Sequence, residues 1–163
     1  MSRLDSFIRR LQAQRDCLAQ AARLIADVPG PVLELGLGNG RTYDHLRDKL
    51  PGRAIHVFER DVSPNPASMP PREMLVEGDM ALTLPVFAAQ HGRRAVLIHV
   101  DVTTGVPDRD RVVFAWLPEQ VAALAAADAL VVSGWAIDHP QLEHVALPDG
   151  VPEGRYFAYR RLG

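Results

Sequence analysis

The spacing of apolar residues predicts a long amphipathic helix at the start of the chain, over residues 2 to about 27. The Pro29-Gly30-Pro31 sequence ends this helix. Beyond it, short apolar runs alternate with helical or loop segments. These runs predict five strands, which are expected over 32–35, 54–58, 74–77, 95–100 and 129–133.

The segments between the strands predict helices over 39–50 and 108–126, with the second one kinked or split at Pro118. The apolar stretch that follows the third strand and runs to His91 is also expected to be helical, although Pro85 interrupts it. A regular helix is not expected over 63–71, because four prolines fall within eight residues there.

Two further apolar runs, 144–147 and 156–162, predict an antiparallel hairpin at the sheet edge. About ten residues precede the first run, and a parallel crossover helix barely fits there, since it usually needs about ten residues or more for itself. The whole pattern predicts an α/β fold: a doubly wound, mostly parallel seven-stranded sheet with an antiparallel C-terminal hairpin, plus the N-terminal helix.

Composition limits the function classes that fit this fold. The length of 163 residues is typical of one domain, which is expected to span 1–163. A net charge of −2 argues against nucleic-acid binding. No apolar run approaches the roughly 20 residues of a membrane span, and the first residues lack an apolar signal core. The single Cys17 excludes an internal disulfide, so a reducing cytoplasmic location is expected.

Candidate chemistry is concentrated where the first two strands end. The first strand runs into Gly36-Leu37-Gly38-Asn39-Gly40, and a helix starts near Asn39. A strand–turn–helix of this kind offers free backbone N–H groups to a ligand. The second strand ends at Glu59, nineteen residues after Gly40, where a carboxylate suits ribose hydroxyls. A nucleoside ligand is therefore expected between the two.

The neighbouring residues discriminate among nucleoside ligands. A dinucleotide fingerprint requires a third glycine where this chain has Arg41. Glu34, two residues before the turn, repels a pyrophosphate and suits an ammonium or sulfonium group. A zwitterionic amino acid joined to a nucleoside, such as S-adenosylmethionine, satisfies both demands. A nucleotide-dependent oxidoreductase is the weaker interpretation.

The segment from Glu34 to Gly40 resembles motif I of class I S-adenosylmethionine-dependent methyltransferases, and Glu59 resembles that family's ribose-binding acid. The resemblance covers roughly residues 30 to 135. It implies S-adenosyl-L-methionine as cofactor, and Gly78-Asp79 after the third strand matches an acid that contacts adenine. The loop over 63–71 departs from the family, which usually has a helix there. The implied cofactor-binding residues are Glu34, Gly36, Gly38, Asn39, Gly40, Arg41, Thr42, Glu59, Arg60, Gly78, Asp79 and Met80.

The end of the fourth strand carries the candidate catalytic residues, His99 and Asp101. Alternation places both on one side of the strand, and either suits a general base. The alternative is that His99 is a hydrogen-bonded strand histidine and Asp101 a helix cap. Asp79 equally suits a helix cap. No metal is expected, because the His-x-Asp pair lacks a clear third ligand.

Two functions remain open from the sequence. The favoured one is methyl transfer to a small-molecule acceptor. The rival is a non-catalytic S-adenosylmethionine- or nucleoside-binding protein, because the short chain leaves little room for an acceptor-binding lid. The short chain also favours a homodimer or homotetramer, in which a neighbouring subunit supplies the missing wall of the pocket.

Overall fold

The computed structural model describes residues 2–163, and the N-terminal helix is its first element. This helix, α1, spans Arg3–Leu24 and ends slightly before the expected residue 27. Ser2 and Asp5 form a capping box at its start, in which each side chain accepts the other residue's N–H. One face is buried, and it consists of Ala13, Gln14, Cys17, Leu18, Ala21 and Ala22.

A seven-stranded sheet with the order β3-β2-β1-β4-β5-β7-β6 forms the centre of the protein. Its strands are β1 (Val32–Leu35), β2 (Ile55–Glu59), β3 (Leu75–Glu77), β4 (Ala95–Val100), β5 (Ala125–Ser133), β6 (Leu142–His144) and β7 (Phe157–Arg161). The first five are parallel to one another, and β7 is antiparallel to both β5 and β6. The predicted fold class and C-terminal hairpin are confirmed. The strand order reverses between β1 and β4, and open α/β sheets bind ligands at that point.

Helices cover both faces of the sheet and form two apolar cores. The helices after α1 are α2 (Arg41–Lys49), α3 (Met80–His91), α4 (Pro107–Phe114) and α5 (Leu117–Leu124). One core joins α1 and α2 to the sheet through residues such as Leu18 and Leu46. The other joins α3 and α5 to the opposite face through Leu84 and Leu117. Because β1 and β4 are central and covered on both sides, most of their side chains are buried.

Several predicted boundaries differ from the structure. The helix expected over 108–126 is divided into α4 and α5, and the break precedes Pro118, which lies in the first turn of α5, where proline is tolerated. The fifth strand starts at Ala125 instead of residue 129, with a bulge in its pairing to β4. The bounds of the strand expected over 144–147 are displaced. Pairing covers Leu142–His144, and the Val145 N–H still donates to the Ala158 carbonyl at 3.0 Å, whereas Leu147 packs against the α1 side of the core.

The proline-rich loop over 63–71 lacks a regular α-helix, as expected. It forms a single 3-10 turn at Pro66–Ser68, and a second 3-10 turn at Arg72–Met74 precedes β3. Its Ser68 is buried against the glycine turn that follows β1. The loop therefore supports the turn from outside the sheet.

Candidate functional site

The turn between β1 and α2 presents an open surface at one of its three glycines. A Cβ atom on Gly36 would lie 2.3 Å from the Asp101 carbonyl oxygen, and one on Gly40 would lie 2.6 Å from the Cβ of Ser68. Gly38 has a φ of 49° and no neighbouring atom within 4 Å of that position. Two glycines therefore allow the turn to pack closely, and the third leaves a surface that a ligand can approach.

Glu59 at the end of β2 fastens this turn to the sheet. Its Oε2 accepts the N–H groups of Leu37 and Gly38, at 2.8 and 3.1 Å. Its Oε1 accepts those of Arg60 and Asp61, at 2.8 and 3.1 Å. Burial alone would raise the pKa of Glu59, but the four N–H groups together lower it. The carboxylate is consequently ionised at neutral pH and holds the turn in place.

A cleft of about 170 Å³ lies between the glycine turn and the N-terminal part of α1. Phe7 and Leu11 form its apolar wall, and Asp101 lies at its base. Ligand pockets usually enclose about 300–1,000 Å³. This cleft is therefore smaller than a pocket that encloses a whole nucleoside joined to an amino acid.

Asp101, directly after β4, is the candidate catalytic residue that reaches the cleft. Its N–H donates to the Leu35 carbonyl at 2.9 Å, which fixes its backbone beside the turn. Its Oδ1 lies 3.2 Å from Nη2 of Arg10, and its Oδ2 accepts from Nε2 of Gln14 at 2.9 Å. The side chain is 26% exposed, so an acceptor in the cleft can contact it.

Glu34 and His99 lie beneath the turn, and neither is exposed to solvent. Nδ1 of His99 is 2.7 Å from Oε2 of Glu34, and Nε2 is 2.7 Å from the Tyr156 hydroxyl. The other oxygen of Glu34 accepts from the Thr42 hydroxyl. The expectations that Glu34 contacts a ligand and that His99 serves as a base are therefore corrected. Both residues face a covered side of two central strands.

The balance of burial and charge at His99 favours its protonated form. Burial alone would lower the pKa of His99. The adjacent Glu34 carboxylate outweighs burial and, with a smaller contribution from Asp101, raises that pKa. His99 and Glu34 thus form a buried pair that stabilises the end of the sheet without touching the cleft.

The remaining predicted residues of the turn lie at its rim or support it. Asn39 and Arg41 are exposed and line the cleft. The Thr42 hydroxyl points inward to Glu34. The side chain of Arg60 is exposed and pairs with its neighbour Asp61 at 3.1 Å, so only its backbone N–H belongs to the site.

The end of β3 lies at the same edge of the sheet. The Gly78 N–H donates to the Glu59 carbonyl at 3.0 Å. Oδ1 of Asp79 accepts the Ala81 N–H at 2.9 Å and caps α3, as the alternative interpretation predicted. Met80 is partly buried against the core. The structure thus brings the glycine turn, Glu59, Asp79 and Asp101 to one edge, where the parallel strands end.

Sequence reasoning missed three side chains beside Asp101, namely Arg10 and Gln14 of α1 and Tyr156 before β7. Gln14 is 7% exposed, and its amide nitrogen also donates to the Tyr156 hydroxyl at 2.9 Å. The available signal was a polar residue at a buried position of the helix, between Leu11 and Leu18.

Within residues 2–163, none of the helices combines the length and apolar character needed to cross a membrane. Among these same residues, no three His, Cys, Asp or Glu side chains are placed to hold a metal ion.

Comparisons with known proteins agree with this geometry. A family model described as S-adenosyl-L-methionine methyltransferase matches residues 1–161. Among solved structures, an S-adenosyl-L-methionine methyl transferase from Silicibacter pomeroyi is 42% identical, with a TM-score of 0.94 and 99% of each chain covered. A comparison with curated proteins finds no match.

More distant structures share the fold. An O-methyltransferase from Bacillus cereus, solved in complex with SAH, has 12% identity and a TM-score of 0.59, covering 100% of this chain and 82% of that one. Human methyltransferase-like protein 13, also with SAH, has 14% identity and a TM-score of 0.55, covering 94% and 81%.

The match over nearly the whole chain establishes the activity class and the cofactor, S-adenosyl-L-methionine. It gives no support to the non-catalytic alternative, and it leaves the acceptor unidentified. The chain belongs to the S-adenosyl-L-methionine methyltransferase family.

Proposed function

We propose that this methyltransferase transfers the methyl group of S-adenosyl-L-methionine to a small-molecule acceptor within a single domain spanning 1–163. The observation that carries the proposal is the open surface at Gly38, between the ionised Glu59 and the carboxylate of Asp101. A net charge of −2 argues against a nucleic-acid acceptor. The narrow cleft suits a compact acceptor better than a macromolecular surface.

The cofactor lies across the ends of β1, β2 and β3 in this proposal. Its carboxylate faces the N-terminus of α2, where backbone N–H groups and the exposed Arg41 favour an anion. Its ribose hydroxyls donate to Glu59. The adenine lies toward Gly78 and Asp79, and Met80 packs beneath it. This orientation directs the sulfonium and its methyl group toward Asp101.

Methyl transfer is a direct displacement in which the acceptor attacks the methyl carbon as the carbon–sulfur bond breaks. The products are the methylated acceptor and S-adenosylhomocysteine. An acceptor hydroxyl or protonated amine must also lose a proton, and Asp101 accepts it. Arg10 and Gln14 donate to the two oxygens of Asp101, and these contacts hold its carboxyl group at the cleft.

The proposal includes a homodimer or homotetramer in the cytoplasm. Supporting this, α1 exposes Leu4, Phe7 and Ile8 by 65%, 51% and 44%, next to the cleft. A contiguous apolar surface of this kind is typical of an interface. The buried, unpaired thiol of Cys17 is compatible with a reducing compartment. Light scattering at micromolar concentration tests the assembly, and a monomer mass would refute it.

A screen of the purified protein against a metabolite library, read out as release of S-adenosylhomocysteine, tests the acceptor class. We expect release with at least one small molecule and its loss in Asp101→Asn. Calorimetry beforehand should show binding of S-adenosylhomocysteine and much weaker binding of NAD. Release only with RNA or protein added would contradict a small-molecule acceptor, and tight NAD binding would contradict the cofactor site.

A further inference from the structure

A continuous chain of buried hydrogen bonds connects α1 to the glycine turn, and Gln14 lies at its branch point. The Gln14 amide nitrogen is 2.9 Å from Oδ2 of Asp101 and 2.9 Å from the Tyr156 hydroxyl. From Tyr156 the chain continues to His99, then to Glu34. Gln14 and Thr42 line the cleft at the two ends of this chain, whereas Tyr156, His99 and Glu34 are not among the lining residues. The proposed reaction uses Asp101 and has no direct step at Gln14 or Tyr156.

The direction of these hydrogen bonds follows from the chemistry at the Asp101 end. An ionised carboxylate only accepts hydrogen bonds, so the amide of Gln14 must turn its nitrogen toward Asp101. That nitrogen carries two hydrogens, and the second one points to the Tyr156 oxygen. Tyr156 therefore accepts from Gln14, and its own hydrogen is free to donate elsewhere.

The chain of hydrogen bonds continues from Tyr156 to the glycine turn. The Tyr156 hydroxyl has one other partner, Nε2 of His99, at 2.7 Å. If Tyr156 donates there, Nε2 carries no hydrogen and the ring hydrogen is on Nδ1, from which it donates to Glu34. Glu34 also accepts from Thr42, the second residue of α2. Every hydrogen in the chain then has an acceptor.

We propose that Gln14 is a positioning residue of the methyl-transfer site: it holds the Asp101 carboxylate at the cleft and, as a donor, offers the Tyr156 hydroxyl no acceptor. Tyr156 then donates to His99, and neutral His99 carries its hydrogen on Nδ1. The role of Asp101 rests on the proposed function, but the hydrogen-bond direction does not. Through this chain, the packing of α1 and the support of the glycine turn depend on each other.

The charges around His99 favour a doubly protonated ring over the neutral one, and they therefore decide the pH range of the test. Glu34 on β1 and Asp101 after β4 are anionic, Arg10 on α1 is cationic, and the Tyr156 hydroxyl is neutral. The two anions favour a second proton on the ring, on Nε2. Neutral His99 must therefore be observed in a pH series that starts near the ordinary histidine pKa of about 6.5 and runs upward.

The test is nitrogen NMR of the ring of His99 in the ligand-free protein, with ¹⁵N-labelled histidine assigned through its backbone. In the wild-type protein, we expect the hydrogen to leave Nε2 as the pH rises and Nδ1 to stay protonated. A neutral ring protonated on Nε2 would overturn the proposal without any variant.

Two substitutions of Gln14 should have different effects. In Gln14→Glu, the new carboxyl group shares one proton with Asp101 and offers Tyr156 an acceptor oxygen, so the chain reverses and Nε2 keeps its hydrogen at pH values where the wild-type ring has lost it. In Gln14→Leu, Tyr156 loses a donor but gains no acceptor, so it still donates to His99 and the ring should keep the wild-type form. Gln12→Glu, on the exposed face of α1, is the matched control for the added charge.

An unchanged ring in Gln14→Glu, or the same change in Gln12→Glu, would overturn the proposal. Circular dichroism establishes that each variant is folded, and the wild-type measurement stands if Gln14→Glu is not. Calorimetry with S-adenosylhomocysteine is run in parallel. Absence of that binding in the wild-type protein would refute the proposed function, but it would leave the NMR result intact. Failure of the proposed function and failure of this inference are therefore distinguishable.

Discussion

Replacing Glu59 by glutamine tests the cofactor site most directly, because the change is nearly isosteric and removes one charge. In the ligand-free protein, the two oxygens of Glu59 accept four backbone N–H groups. A glutamine amide offers one oxygen and places a nitrogen donor against the other pair of N–H groups. Either the glycine turn or the start of the next loop therefore loses its acceptor.

The expected loss of affinity follows from competition at this carboxylate. A hydrogen bond to a charged group contributes about 1.5–3 kcal/mol. A carboxylate has about four acceptor positions, and the four N–H groups already fill them. Ribose hydroxyls must then displace or share those donors, so the net gain is at the lower end of this range. Since about 1.4 kcal/mol corresponds to tenfold, Glu59→Gln should weaken S-adenosylhomocysteine binding about tenfold.

Isothermal titration calorimetry measures the dissociation constant, and thermal unfolding reports whether the turn has loosened. Glu77→Gln is the matched control, because Glu77 is the exposed register partner of Glu59 on β3. We expect its affinity to equal that of the wild-type protein. An unchanged dissociation constant in folded Glu59→Gln would remove Glu59 from the cofactor site, and an equal loss in Glu77→Gln would reduce the effect to general electrostatics.

Three other predictions concern the turn, the base and the acid stability. Gly38→Val should abolish binding of S-adenosylhomocysteine in a folded protein. Gly36→Ala should instead lower the melting temperature, because the new Cβ would lie 2.3 Å from the Asp101 carbonyl oxygen. The reverse pattern, measured by calorimetry and thermal unfolding, would contradict the site. Asp101→Asn should lower turnover about a hundredfold at unchanged cofactor affinity, and full activity would mean that the acceptor arrives already deprotonated. Burial alone would raise the pKa of Asp110, but hydrogen bonds from residues 104 and 105 lower it below the value in the unfolded chain. The stability that Asp110 contributes is therefore present above the unfolded pKa of about 4, and it is lost as the pH falls through the lower folded pKa. Denaturation at several pH values should therefore show a weaker acid dependence in Asp110→Asn, and equal slopes would exclude this contribution.

Periodicity was sufficient to predict the fold because each parallel strand is a short apolar run between two helices or loops. It was insufficient at the C-terminal edge. The segment 144–147 is as apolar as a strand, but Leu147 packs on the core and pairing takes place over Leu142–His144. Apolar residues near an edge strand indicate that the segment is buried, but a buried segment need not form backbone hydrogen bonds with a neighbouring strand.

The glycine turn was predictable because its geometry is local. Glycine is the usual residue wherever a backbone approaches a neighbour closely or adopts a positive φ, so three alternating glycines indicate such positions directly from residue type. The orientation of Glu34 was not local. Whether a polar side chain in a strand faces a ligand or a covered side of the sheet depends on what packs there. Glu34 is covered by contacts with Thr42 of α2 and with His99 of β4, which is 65 residues away in sequence.

The covered position of Glu34 changes the interpretation of the site. An acid two residues before the turn was interpreted as a partner for a cationic ligand, yet Glu34 is completely buried and bound to Thr42 and His99. A buried carboxylate is costly unless it is paired, so His99 and the hydrogen-bonded chain from Gln14 are what make it tolerable under the turn. The polar residue in the apolar stripe of α1 therefore has the same physical cause as the acid in β1: both belong to one buried network, and that network lies beneath the surface that we propose for the cofactor.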